Sequence, residues 1–169
     1  MKVSLKSIQT KQDVAELLPL LQKIWREVFP PIIGAEQTEY MLCHYQSPDN
    51  IMHEITDGAQ YFLIEADGER VGYTAYEIRA DHLFISKIYL LNSQRGKGLS
   101  SGLFDWLENE ARKAGKNRLH LHVNRKNQQA IAVYQHKGFA VVDSVDHDIG
   151  NGYVMDDFYM EKPLIQPAQ

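Results

Sequence analysis

The sequence holds one cysteine, Cys43, in 169 residues, which excludes an internal disulfide and fits a reducing compartment. Around it, "EYMLCHYQ" has the spacing of an amphipathic helix, so Cys43 reads as a packing residue and not as a nucleophile. Nowhere do about 18 uncharged apolar residues run together, and the opening "KVSLKSIQT" lacks the apolar core of a secretion signal. Both observations predict a cytoplasmic chain without membrane association. Basic residues are in deficit, with 18 Lys and Arg against 22 Asp and Glu and a net charge of -4, which argues against nucleic acid as a partner. Metal-binding patterns are also sparse. "HLH" sets His120 and His122 on one face of a strand, but no cysteine or carboxylate lies close by in sequence, so packed or surface histidines are expected and no metal site.

The chain is 44% hydrophobic, and no linker, repeat or low-complexity block interrupts it, so residues 1–169 read as one domain. A short strand at Val3, Leu5 and Ile8 precedes helical spacing at Val14, Leu17, Leu18, Leu21 and Trp25, with Pro19 predicting a kink or break. "PPIIG" reads as a turn, "AEQTEYMLCHYQ" as a helix, and "SPDNIMHEITDG" as a short helix stopped by Gly58. Two β-rich runs flank Asp67-Gly68, the signal of a tight hairpin, and a third strand follows at residues 83 to 90. Apolar residues recur at Leu99, Leu103, Leu107 and Ala111 before a stop at Gly115; a strand at 118 to 123 and a helix closed by Gly138 come next. Strands near 140 to 145 and 153 to 162, joined through "HDIGNG", complete a β–α–α–β–β–β–α–β–α–β–β order of mixed α/β type.

The most informative stretch is "LLNSQRGKGLSSGLF", residues 90 to 104, where a strand runs through small and charged residues into a helix. Such a turn aims unpaired N–H groups outward at the positive end of the helix dipole, a geometry suited to phosphate. Gly96 and Gly98 leave the backbone uncovered, and Arg95 and Lys97 add positive charge in an acidic protein. The dinucleotide pattern G-x-G-x-x-G would need glycine at Ser101, and the P-loop would need Ser or Thr after Lys97, where Gly98 stands.

"RGKGLS" resembles the acyl-coenzyme A signature R/Q-x-x-G-x-G/A of the GCN5-related N-acetyltransferases: Arg95 and Gly98 match, and Ser100 takes the last small position. "NQQAIAVYQHKGF" resembles the same family's second signature at Asn127, Ala130, Tyr134, Gly138 and Phe139. The resemblance implies a mostly antiparallel central sheet, splayed between the strand ending near Leu90 and the strand at 118 to 123, with helices on both faces. It implies acetyl-coenzyme A as cosubstrate, with the pantetheine arm in the splay, and no metal. The cofactor contacts it implies are Tyr89, Leu90, Leu91, Arg95, Gly96, Lys97, Gly98, Leu99, Ser100, Ser101, Asn127, Ala130 and Tyr134. Tyr134 would be the acid at the departing thiolate, and backbone amides near Tyr89 and Leu90 would polarise the acetyl carbonyl.

No carboxylate stands in "LFISKIYL" to serve as base, so a water chain to Glu36, Glu77 or Asp157 is the expectation, with these three on the acceptor side. Residues 143 to 161 gather six carboxylates without a lysine or arginine, interleaved with Tyr153, Phe158 and Tyr159, a surface suited to a cation. That tail resembles PaiA-type polyamine acetyltransferases, which implies a small polyamine as acceptor. A peptide amine is the alternative, and a non-catalytic acyl-coenzyme A sensor is the reading from another class. Relatives of this kind are often homodimers, and the C-terminal strands are where such a contact is expected.

Overall fold

The computed structural model describes residues 2–165. The described residues form two compact units, one running through Glu77 and taking up Ser86–Leu99, the other made of Ile78–Ile85 and residues 100–165. The fold is mixed α/β, and among the described residues seven strands follow the order β1-β2-β3-β4-β5-β7-β6.

The first unit begins with β1 (Val3–Ile8) and α1 (Lys11–Val28). Thr10 caps α1 through a reciprocal box: its hydroxyl accepts from Asp13 N–H at 3.1 Å, and the Asp13 carboxylate accepts from the amides of Gln9 and Thr10 at 3.0 and 3.1 Å. Those amides hold the Asp13 carboxyl below its ordinary range. Val14, Leu17, Leu21, Ile24 and Trp25 form the buried stripe of α1. Trp25 Nε1 donates to the buried Tyr73 hydroxyl at 2.8 Å, so neither polar tip is left unsatisfied inside the core. Next come α2 (Pro30–Ile33), α3 (Ala35–His44), α4 (Pro48–Thr56), β2 (Gln60–Ala66) and β3 (Glu69–Ile78). Asp67 and Gly68 make the predicted hairpin turn with φ of 52° and 83°.

Strand β4 (Leu83–Leu90) contributes to both units. In the second unit its first residues pair in parallel with β5 (Arg118–Asn124) over Leu83↔Leu119, Phe84↔His120 and Ile85↔Leu121. This unit also holds most of α5 (Leu99–Lys113), then α6 (Gln128–His136), β6 (Ala140–Gly150) and β7 (Tyr153–Pro163). β7 lies between β5 and β6 and is antiparallel to both. Leu103, Phe104, Leu107 and Ala111 of α5 are buried, as are Leu119, Leu121, Val123, Phe139 and Met160, so alternate residues of β5 serve the core. Among the described residues no helix is long and apolar enough to cross a membrane.

Four local expectations are corrected. Helix α1 runs unbroken through Pro19; Pro19 is exposed, so the hydrogen bond it cannot donate is lost on the solvent side, where water can replace it. "PPII" forms a one-turn helix, with proline at its first positions, instead of a simple turn. Cys43 is exposed and not packed; Met41 and Leu42 bury the face of α3 instead. The last hairpin has longer strands than expected, because the reversal takes only Asn151 and Gly152, at φ 54° and 79°.

Gly72 is demanded by space. A Cβ there would lie 2.3 Å from the Tyr89 carbonyl oxygen and 2.7 Å from Leu90 Cδ2, against the far half of β4. Gly72→Ala therefore overpacks this crossing, and a loss of about 1–3 kcal/mol in urea unfolding is expected.

Candidate active site

Three consecutive residues at the entrance to α5 place their amides where no backbone carbonyl takes them. Leading in, Leu91 N–H donates to Val71 O at 2.9 Å, Asn92 N–H to Glu27 Oε2 at 3.1 Å, and Arg95 N–H to Asn92 O at 3.2 Å across a short 3-10 turn at Asn92–Gln94. From there the accounting changes: the amides of Gly96, Lys97 and Gly98 donate to no backbone carbonyl among the described residues. Gly96 and Gly98 adopt φ of 76° and 78°, a region that side chains disfavour, although a Cβ at either would meet nothing within 4 Å. Conformation, and not crowding, selects glycine at both. Helix α5 follows for 15 residues, with Leu99 buried at its start, so these amides stand at the positive end of a full-length helix dipole. Arg95 and Lys97 are exposed. Lys137, at the end of α6, donates to the Ser101 hydroxyl in the first turn of α5.

On α6, Asn127 is the N-cap, its side-chain oxygen accepting from Ala130 N–H at 3.2 Å. Two residues of the second signature thus fix the start of the helix that carries Tyr134. The Tyr134 ring is half-buried and meets Phe104 edge-on at 6.0 Å and Phe139 at 6.0 Å. This aromatic seating fixes its ring, and the phenol is the only polar group it carries.

The three carboxylates expected on the acceptor side have different surroundings. Glu36 is exposed in the first turn of α3, where a negative charge complements the helix dipole. Glu77, at the end of β3, is half-buried, and its charge helps raise the Tyr61 phenol far above the usual range, after burial and Glu54. Asp157, on β7, is buried at 7% exposure, with Oδ1 unpartnered. Burial pushes its carboxyl up to about 6. The acidic tail is less uniform than its composition suggests. Arg125, just beyond β5, reaches across to Asp156 with Nη2 at 2.6 Å and Nε at 3.0 Å, and stacks over Phe158 at 4.7 Å. Arg125 holds the Asp156 carboxyl below its ordinary range, while the hydrogen bond that Asp146 makes to Asp156 raises the Asp146 carboxyl.

Two networks had no signal in sequence. Glu54 of α4 accepts from Asn50 Nδ2 at 3.0 Å and from the Tyr61 hydroxyl at 3.0 Å, with Lys87 Nζ of β4 at 3.6 Å. The amphipathic pattern of α4 shows only that Ile51 is inward. In the second unit His120 Nδ1 meets Glu161 Oε2 at 2.8 Å, and its Nε2 lies 3.0 Å from His122 Nε2. A consistent proton assignment follows: His122 donates to His120, and His120 donates to Glu161. His122 stacks on Tyr159 at 3.7 Å, and burial with the charges of His120 and His147 pushes it down to about 4. The carboxylate absent near "HLH" in sequence is Glu161, supplied by the neighbouring strand. Among the described residues no group of three or more His, Cys, Asp or Glu is arranged to hold a metal ion.

The acetyltransferase (GNAT) family profile matches residues 17–139, which contain both the glycine turn and the Asn127–Phe139 segment. An uncharacterized N-acetyltransferase of Mycobacterium bovis is 30% identical over 150 residues, covering 85% of this chain and 96% of the relative. An uncharacterized N-acetyltransferase from the pepI 3' region of Lactobacillus delbrueckii subsp. lactis is 25% identical over 165 residues, covering 92% and 95%. Among solved structures, the PaiA N-acetyltransferase of Thermoplasma acidophilum in complex with coenzyme A superposes with a TM-score of 0.79 at 22% identity, over 96% of this chain and 99% of that one. A GCN5-related N-acetyltransferase of Rhodopseudomonas palustris gives a TM-score of 0.79 at 18% identity, over 97% of each chain. With both signature segments inside the matched region, and a relative covered almost end to end, this chain belongs to the GNAT family of N-acetyltransferases.

Proposed function

We propose that this chain moves an acetyl group from acetyl-coenzyme A directly to a primary amine, with a small polyamine such as spermidine or spermine as acceptor. The observation that carries the cofactor reading is the run of unaccepted amides at Gly96, Lys97 and Gly98, opening onto the start of α5. A diphosphate supplies the acceptor atoms that such a turn lacks, and its charge suits the helix dipole together with Arg95 and Lys97. The Thermoplasma relative, of the same fold, holds coenzyme A.

Acetyl-coenzyme A brings an activated thioester, so the protein itself has to position, deprotonate and protonate. Tyr134 is assigned the proton donor to the departing sulfur, and the aromatic contacts of Phe104 and Phe139 hold its ring. Tyr89 and Leu90 belong to the far half of β4, whose amides are assigned to the acetyl oxygen. The polyamine reading rests on charge: the segment from 143 to 161 keeps a carboxylate excess even after Arg125 has taken Asp156. Glu36, Glu77 and Asp157 are the acceptor-side carboxylates of this reading.

Thiol release from acetyl-coenzyme A with a panel of amines tests the assignment. Release with spermidine or spermine is expected; release with peptides alone would move the acceptor to protein amines, and tight coenzyme binding without release would leave a sensor. Gly98→Glu puts a like charge at the diphosphate and should weaken acetyl-coenzyme A binding by roughly a hundredfold or more, measured by calorimetry on folded protein; unchanged affinity refutes the placement. Tyr134→Phe should lower kcat by roughly 10²-fold or more while leaving coenzyme affinity close to wild type, and wild-type turnover would remove its acid role.

A further inference from the structure

We infer that Asp157 is the group that takes the proton from the acceptor's ammonium. This deepens the acetyl-transfer reading and rests on it.

β7 is paired on both sides, and Asp157 stands opposite Asn124 of β5 and Val145 of β6. Backbone donors around it are therefore committed to ladders. Strand alternation sends Asp157 to the face shared with Tyr159 and Glu161, and sends Asp156 to the other. Arg125 pairs with Asp156 and not with Asp157. What results is a carboxylate at 7% exposure whose buried Oδ1 has no hydrogen-bond donor.

An unpaired buried carboxylate is costly, and an apolar or amide side chain of the same size would avoid the cost. It gains a partner when a cation arrives. A primary ammonium fits, because it brings a positive charge, N–H donors and a proton to give. Glu36, by contrast, is exposed and keeps its water.

The environment also suits the proton's destination. The groups facing or flanking Asp157 are Asn124 and His122 from β5, His147 and Asp143 from β6, and Asp156 and Tyr159 on β7 itself. Burial dominates and raises the carboxyl to about 6, with His147 lowering it and Asp156 raising it. A base strengthened by about two units accepts a proton from an ammonium roughly a hundredfold more favourably than an ordinary carboxylate.

One N–H bond of the ammonium breaks, its electron pair stays on nitrogen, and the proton goes to Asp157. The free amine forms the C–N bond to the thioester carbonyl, and the C–S bond breaks with its pair left on sulfur. The second proton lost from nitrogen replaces the one Tyr134 gives to sulfur. Amide, free thiol and one proton, released from Asp157 to water, are the products.

Asp157→Asn keeps the shape and removes the base. With the purified full chain, acetyl-coenzyme A and spermidine or a lysine peptide, wild-type kcat/KM is expected to fall on the acid side of about pH 6. In the variant kcat should drop roughly 10²-fold or more with that limb abolished, while acetyl-coenzyme A affinity stays close to wild type. Stability gives a second readout. A carboxyl raised in the fold destabilises it above its folded value and less as pH falls toward its unfolded one, so Asp157→Asn should unfold at higher urea at pH 8 and lose that advantage between about pH 6 and 4. A variant that keeps wild-type kcat or the same acid limb, loses coenzyme binding, or is less stable at pH 8 overturns the inference. Wild-type protein that releases no thiol with any amine would instead overturn acetyl transfer, and this inference with it.

Discussion

The amides of Gly96, Lys97 and Gly98 are the constraint from which the functional argument grows. Backbone donors cannot be titrated away or swapped for another residue type; they can only be aimed. Here two left-handed glycines do the aiming, at the head of a helix whose Leu103, Phe104, Leu107 and Ala111 are buried. A site of this sort is anion-seeking in a protein whose net charge is -4, because its field is local and the surplus carboxylates lie elsewhere in the chain.

The acidic hairpin shows the complementary principle, with side-chain charge sorted by strand geometry. Asp156 and Asp157 are neighbours in sequence, yet one carries an arginine partner with part of its surface in solvent and the other is enclosed without one. The period-2 alternation of β7 is sufficient cause. On the face of Asp157, His122, His120 and Glu161 form a hydrogen-bonded polar row, with His122 stacked on Tyr159.

Much of this was legible in the residues, because the signals were local. Asp67-Gly68 marked its hairpin, the Leu99–Ala111 spacing marked α5, and the paired signatures pointed to the family. Reading failed where a partner distant in sequence decides. The Glu54 network needs α4 brought to β2 and β4; Glu161 reaches His120 only through the β5–β7 register; and Arg125 finds Asp156 across 31 residues. Asp157 is the sharpest case, since one more aspartate in an acidic run gives no hint that it would be buried and unpartnered. The Asn151-Gly152 reversal was a different failure: the dipeptide was visible, but the acidic residues before it read as loop when they continue the strand.

Cys43 has a practical meaning beyond the fold. As the sole thiol, and an exposed one, it is a unique chemical address on the first unit, and a maleimide or disulfide-exchange reagent reports one equivalent per chain before any substrate is added. In air-oxidised solution two chains can be joined through that sulfur alone. A covalent pair on a non-reducing gel therefore speaks of surface redox chemistry, and carries no information about a native interface.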